Sequence, residues 1–99
     1  MFAVRNYQQG LQRLLAACDP ELLGESFREG KFRLQVAASF YDGLRVEEET
    51  LVAYLRQCTV ANLVGPRTVG VAVRLGLVAE DNVLVVAGVP HAQLLVIES

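Results

Sequence analysis

Apolar and polar positions alternate over several short stretches of the chain, which is the pattern of half-buried β-strands. Residues 2–8 alternate, residues 11–17 form a second apolar run, and residues 31–36 alternate strictly. The polar Gln9-Gly10 pair between the first two runs predicts a hairpin. In the third stretch we expect Phe32 and the apolar residues in phase with it to face the core.

Near the carboxyl end the apolar residues no longer alternate. Residues 83–87 and 92–97 are apolar at successive positions, so we expect two central strands that are covered on both faces. Between them Gly88-Val89-Pro90-His91 is expected to form a turn, in which the bond before Pro90 is either trans or cis. Residues 60–64 are interpreted as either a short buried strand or a loop.

Helical spacing is found in two stretches between these strands. Residues 47–58 begin with glutamates and place their apolar side chains on one stripe. Residues 66–75 begin at a proline and end before Gly76, a residue suited to a Schellman cap. A short helix is expected after Asp19, whose carboxylate would cap it, and residues 39–45 are expected to be a loop.

The order of these elements predicts one α+β or α/β domain over residues 1–99, with a mixed sheet of about five strands packed with two to three helices. Hydrophobic residues make up 53% of the chain, which excludes a disordered protein. The sequence has neither a membrane-spanning run nor a leader of basic and then apolar residues. We therefore expect a cytoplasmic protein without membrane contact.

The formal net charge of −2 argues against a general nucleic-acid coat protein, which would be basic. The charges are unevenly distributed, however. Residues 51–79 contain Arg56, Arg67 and Arg74 and no acidic residue, so we expect a local basic patch if these arginines share a face.

A Gly-Pro break at the start of the second helix is the first candidate site. Free amides and the helix dipole favour an anion at a helix start. Gly65 would let a ligand approach the backbone, Arg67 could hold a phosphate, and the Thr68 hydroxyl could add a hydrogen bond. We predict an anion- or RNA-binding site at Asn62, Gly65, Arg67 and Thr68. The alternative is an ordinary turn that starts a helix, because the Gly-Lys-Thr core of a P-loop is missing.

The single histidine marks a second candidate. His91 and Gln93 would form a polar site in which the imidazole acts as an acid or base near neutral pH. No acidic partner or nucleophile lies near His91 in the sequence. The alternative is therefore a tight turn in which His91 makes a structural hydrogen bond, and we assign no catalytic residue.

The two cysteines, Cys18 and Cys58, do not form a CxxC pair. We therefore expect neither a metal site nor another cofactor. Both cysteines lie among apolar residues, so we expect them to pack in the core in preference to acting as nucleophiles.

Basic and aromatic residues on strand faces are a further candidate. Arg5, Lys31 and Arg33, with Tyr7 nearby, could stack on and neutralise nucleic acid. The alternative is a solvated strand face, which we favour because only one aromatic ring is available and no RNP-like block is present.

Six short blocks follow one another along the chain: Phe2-Ala3-Val4-Arg5, Leu15-Ala16-Ala17-Cys18-Asp19, Glu21-Leu22-Leu23-Gly24, Phe27-Arg28-Glu29-Gly30, Ala61-Asn62-Leu63-Val64-Gly65 and Gly88-Val89-Pro90-His91-Ala92-Gln93. With these blocks the whole chain resembles the archaeal domain-of-unknown-function family 424. The resemblance implies an archaeal cytosolic protein that accompanies translation or RNA-handling factors. It supplies no catalytic residues.

These observations favour a non-catalytic binding module that contacts RNA or a translation-related ribonucleoprotein through a basic patch at the helix start. One alternative is a small enzyme for a phosphorylated or carboxylated molecule, with His91 as acid or base and Arg67 as anion clamp. That enzyme would need both residues in one pocket. The other alternative is a structural subunit of a homo-oligomer that buries an apolar strand edge.

Overall fold

Eight strands and three helices make up residues 1–96, the part of the chain that the computed structural model describes. The strands are β1 (Phe2–Gln9), β2 (Gln12–Cys18), β3 (Ser26–Glu29), β4 (Phe32–Gln35), β5 (Leu44–Val46), β6 (Val60–Val64), β7 (Leu84–Val86) and β8 (Val89–Leu95). The helices are α1 (Ala38–Tyr41), α2 (Glu48–Gln57) and α3 (Pro66–Arg74), and single 3₁₀ turns span Pro20–Leu22 and Glu80–Asn82.

Six of the strands form one mixed sheet in the order β5-β1-β2-β6-β8-β7, and β3 and β4 form a separate hairpin. Strands β2 and β6 run parallel, with Cys18 beside Val64, whereas the other neighbours in the sheet are antiparallel. The predicted α+β domain with a mixed sheet is confirmed, and residues 60–64 are a strand at its centre.

Helices α2 and α3 cover the first face of the sheet. Leu15, Leu63 and Leu94 of the sheet are buried there together with Leu51 and Leu55 of α2. A fully buried leucine stabilises the fold by about 1.5–3 kcal/mol relative to an exposed one, so this cluster is the main core.

The second face is covered over only part of its length. Helix α1 and the β3–β4 hairpin pack near the carboxyl ends of β2 and β6, where Ala16, Cys18 and Val64 are fully buried. Toward the amino ends of β2 and β6 the side chains on this face stay partly or fully exposed. This surface, called the open half below, is formed by Gln12, Leu14, Val60, Asn62, Gln93 and Leu95.

The prediction of a loop over residues 39–45 is wrong. This stretch contains most of α1 and the start of β5, a short edge strand that pairs with β1 at Val4 and Leu44. A Cβ atom on Gly43 would lie 2.6 Å from the Val4 carbonyl oxygen, so the glycine permits this close approach. A three-residue strand is too short to show an alternating pattern, which is why the sequence does not reveal it.

The C-terminal hairpin also differs from the expectation. Its turn is the two-residue Ala87-Gly88, so Pro90 and His91 lie within β8 and not in a connecting turn. No cis peptide bond occurs over residues 1–96. Strand β8 is internal as expected, but β7 is the edge of the sheet and exposes Leu84 and Val85. The predicted last residue of this strand, Ile97, lies outside the described residues.

The remaining elements agree with their patterns, with two changes. Helices α2 and α3 occupy the predicted stretches, and α3 ends in the predicted Schellman cap, in which Leu77 N donates to Ala72 O and Gly76 N to Val73 O, each at 3.0 Å. Strand β4 pairs with β3, which the sequence does not predict, and Phe32 is 50% exposed instead of facing the core.

Candidate functional site

The start of α3 is closed by a carboxylate from elsewhere in the chain. Asp19, at the end of β2, accepts hydrogen bonds from Thr68 N at 2.8 Å and from the Thr68 hydroxyl at 2.7 Å through Oδ1, and from Arg67 N at 3.1 Å through Oδ2. Its side chain is almost fully buried. The anion that the helix start favours is therefore supplied by the protein itself.

Gly65 makes this arrangement possible. It adopts a φ of 108°, which side chains disfavour, and a Cβ atom there would lie 2.5 Å from Asp19 Cγ. Gly65 and Thr68 are both buried. Binding of an external anion at these amides stays a prediction, and it would require Asp19 to be displaced.

The capping role predicted for Asp19 is wrong. Its side chain makes no capping hydrogen bond to the turn that follows it. Parallel pairing of β2 with β6 puts Cys18 beside Val64, so the residues that follow these strands meet at one edge of the sheet. An acidic residue after one strand and a Gly-Pro break after another is the signal that points to this contact.

The Arg67 guanidinium is committed to contacts within the protein. It lies over the Phe2 ring at 4.8 Å and donates to Met1 O at 2.7 Å, and it lies 3.9 Å from a Glu21 carboxylate oxygen. A second arginine of the expected basic patch, Arg74, forms an ion pair with Glu48. Arg67 and Arg74 line the same depression, but each lies near a carboxylate, so the basic patch stays a prediction.

The structure separates Arg67 from His91. Arg67 lies over Phe2 on the first face of the sheet, whereas His91 pairs with Val64 and Leu84 on the second. The two side chains line different depressions. The enzyme alternative requires both residues in one pocket, and the structure contradicts this requirement. Burial lowers the pKa of His91, so its imidazole is neutral at pH 7.

The polar residues predicted on two separate segments do meet on the open half. Asn62 of β6 lies directly opposite Gln93 of β8, and Gln93 Nε2 donates to Asn62 Oδ1 at 3.0 Å. His91 lies two residues before Gln93 on the same side of β8, at the border of the open half. Asn62, His91 and Gln93 therefore form one polar strip across two neighbouring strands.

A row of apolar side chains lies beside this strip. Leu14, Val60 and Leu95 are direct neighbours across β2, β6 and β8, and Leu95 is 68% exposed. Tyr7 ends the row on β1, opposite Leu14. The open half is thus amphipathic, with carboxamides in one row and aliphatic side chains in the next.

The predicted grouping of Arg5, Tyr7, Lys31 and Arg33 is correct only for the first pair. Arg5 lies over the Tyr7 ring at 5.2 Å on β1. The other side chain packed on Tyr7 is Phe40, with ring centroids 5.3 Å apart, and Tyr7 donates from its hydroxyl to Phe40 O at 2.7 Å. Lys31 and Arg33 belong to the separate β3–β4 hairpin.

Both cysteines are buried, as predicted, and both are free. Burial, with a smaller contribution from the Asp19 carboxylate, raises the pKa of Cys18 to about 12. Burial also raises the pKa of Cys58. Both thiols are therefore protonated near neutral pH and are poor nucleophiles. Within residues 1–96 no group of three or more His, Cys, Asp or Glu side chains is placed to hold a metal ion.

The chain is similar to proteins without an assigned activity. A family model described as "Protein of unknown function (DUF424)" matches residues 7–97. Among solved structures, an uncharacterized conserved protein from Methanopyrus kandleri shares 28% sequence identity and a TM-score of 0.74, over 99% of this chain and 95% of that one. No curated protein matches significantly. These findings confirm the resemblance inferred from the short blocks.

No helix in the described part of the chain is long and apolar enough to cross a membrane.

Proposed function

We propose a function for this chain, which belongs to the DUF424 family of proteins of unknown function, from the surface that its fold leaves open. The protein is a non-catalytic module that binds single-stranded RNA, free or within a ribonucleoprotein, across the open half of the sheet. The observation that carries this proposal is the Asn62–Gln93 carboxamide pair within an exposed sheet surface whose six residues include no carboxylate.

The carboxamide pair has the chemistry to read a nucleobase. The hydrogen bond between Gln93 Nε2 and Asn62 Oδ1 does not use the Asn62 amide nitrogen, a donor, or the Gln93 carbonyl oxygen, an acceptor. Side-chain amides use such pairs to bind base edges. The neutral His91 imidazole, next along β8, adds another hydrogen-bonding group without charge.

The apolar row supplies contact area for the flat faces of bases. Leu14, Val60 and Leu95 form a continuous strip beside the amides, so a base that bonds to Asn62 or Gln93 can rest on aliphatic side chains. Base edges are accessible in single strands and largely hidden in an A-form duplex, which is why the proposed ligand is unpaired RNA.

The state of the cysteines supports a cytoplasmic location. Cys18 and Cys58 lie in separate core clusters and are free, a state compatible with a reducing compartment such as the cytoplasm.

Replacement of both amides tests the proposal. We expect Asn62→Ala/Gln93→Ala to weaken binding of a labelled single-stranded RNA by roughly tenfold to a hundredfold, since one amide pair on a base contributes about 1–3 kcal/mol. Both residues lie outside the core, so the melting temperature should stay close to that of the wild type. Fluorescence anisotropy measures the affinity, with a duplex of the same sequence as comparison.

Gln57→Ala provides the matched control, because Gln57 is an exposed amide on α2, which covers the opposite face. This variant should bind RNA as the wild type does. Wild-type protein that binds no single-stranded RNA at low salt, or binds the duplex equally well, would contradict the proposal. Light scattering on the same samples shows whether a second copy of the chain covers the open half instead.

A further inference from the structure

The outer side of the β3–β4 hairpin carries the most concentrated positive charge without a partner in the described structure. Arg28 of β3 lies directly opposite Arg33 of β4, and Lys31 lies in the turn between the strands. All three side chains are exposed. Residues 26–35 include these three cations and one carboxylate, a formal charge of +2 within a chain whose total is −2.

The hairpin cations are not neutralised by carboxylates of the protein. The ion pairs found over residues 1–96 are Arg45–Asp42, Arg67–Glu21 and Arg74–Glu48, and none includes a hairpin residue. The hairpin carboxylate, Glu29, points to the opposite side, where its Oε1 accepts a hydrogen bond from Ala87 N at 2.7 Å. That bond attaches the hairpin to the β7–β8 turn and leaves the outer side basic.

Two arginines directly across an antiparallel pair repel each other and destabilise the hairpin. Folding therefore gains nothing from this pairing, whereas a phosphate chain would relieve the repulsion. Guanidinium groups bind phosphate oxygens through two parallel hydrogen bonds, so neighbouring arginines can hold neighbouring phosphates. Ser26 and Gln35, opposite each other on the same outer side, add polar groups beside them.

We propose that Arg28, Lys31 and Arg33 bind the phosphate backbone of the RNA whose bases lie on the open half. This inference rests on the proposed function. The inner side of the hairpin packs Phe27 and Leu34 into the covered part of the same sheet face. The hairpin and the open half therefore lie on the same side of the sheet. The hairpin supplies sequence-independent affinity, and the carboxamides supply base preference.

The experiment compares Arg28→Gln/Arg33→Gln with the wild type on single-stranded RNA at about 50 and about 200 mM salt. We expect the affinity at the lower salt to fall at least about tenfold, equally for different RNA sequences, and the salt slope to decrease by roughly 1.4 because two phosphate contacts are lost. Arg56→Gln, an exposed arginine on α2 outside the ion pairs described above, is the matched control and should leave both quantities unchanged.

Arg33→Glu distinguishes a loss of RNA binding from a loss of folding. It replaces a repulsive cross-strand pair with an attractive one, so the variant should melt no lower than the wild type and still lose RNA binding. Unchanged affinity and salt slope in the glutamine double variant, with RNA still bound by the wild type, would overturn the hairpin inference and leave the proposed function standing.

Inorganic polyphosphate as a second probe separates the two proposals. Binding of polyphosphate that depends on Arg28 and Arg33, without binding of RNA, would overturn the proposed function and retain a phosphate site on the hairpin with a different source of phosphate. Binding of neither probe by the wild type would overturn both.

Discussion

At the scale of single residues, one carboxylate joins two parts of the fold. Asp19 follows β2 and satisfies two backbone amides and one hydroxyl at the start of α3. Gly65 leaves the space that the carboxylate occupies. The Asp19 carboxylate thus lies where a bound anion would lie at a helix start. Its hydrogen bonds explain why Thr68, a polar residue, is fully buried without an unsatisfied group.

Removal of this carboxylate should be costly. We expect Asp19→Ala to lower the free energy of unfolding by about 3 kcal/mol, because two buried donors of Thr68 and the partly buried Arg67 amide lose their acceptor. Glu21→Ala removes a nearby exposed carboxylate that only approaches Arg67, and it should change stability by no more than about 0.5 kcal/mol. Urea denaturation measures both variants. Equal stability of the Asp19 variant and the wild type would show that the contact is not structural.

At the scale of elements, short turns decide how the strands pair. Strands β7 and β8 are joined by Ala87-Gly88, and both turn residues have positive φ, 50° and 82°. This is the backbone of a type I′ turn, for which Asn-Gly is the preferred sequence. Ala87 is strained at this position, and the strain lies where the β3–β4 hairpin is attached through Glu29.

Relief of the strain should stabilise the protein. We expect Ala87→Asn to raise the free energy of unfolding by about 0.5–1 kcal/mol, because asparagine tolerates positive φ and completes the preferred turn. The side chain at this position is exposed, so the larger residue has room. Ala87→Val, which places a β-branched side chain at the same φ, should destabilise instead. Denaturation curves that rank the two variants in the opposite order would refute this account.

At the scale of the whole molecule, the sheet separates stability from binding. Its first face carries the main core under α2 and α3, whereas half of its second face is left open. Substitutions on the open half or on the outer side of the hairpin can therefore alter a surface without opening the core. The covered part of the second face holds two buried titratable groups, Cys18 and Tyr41, and both contribute to how the fold responds to alkali.

Stability should fall as the pH rises above about 9. Burial raises the pKa of Cys18 from 9.0 to about 12. Burial, with a smaller contribution from the neighbouring Cys18, raises the pKa of Tyr41 from 10.0 to about 12. At pH values between the ordinary pKa of each group and its raised pKa in the folded protein, the unfolded chain releases protons that the folded chain retains. Unfolding is therefore favoured by up to about 1.4 kcal/mol per pH unit for each group.

Urea denaturation between pH 8 and pH 11 measures this dependence (the range spans the two ordinary values). Tyr41→Phe keeps the ring and removes the hydroxyl, and Cys18→Ala removes the thiol. Each variant should reduce the slope of stability against pH in this range by about one proton. A slope that neither substitution changes would show that other groups cause the alkaline loss.

The sequence by itself determined the fold class, helices α2 and α3, and several of the strands, since periodicity and helix-stop signals are local properties. It also indicated Asn62, His91 and Gln93 as candidate site residues, on two separate segments. Only the tertiary structure decided that β2 lies parallel to β6, that Asp19 fills the predicted anion site, and that Arg28 faces Arg33. These contacts join residues distant along the chain or depend on strand register, and neither propensity nor local spacing specifies such pairings.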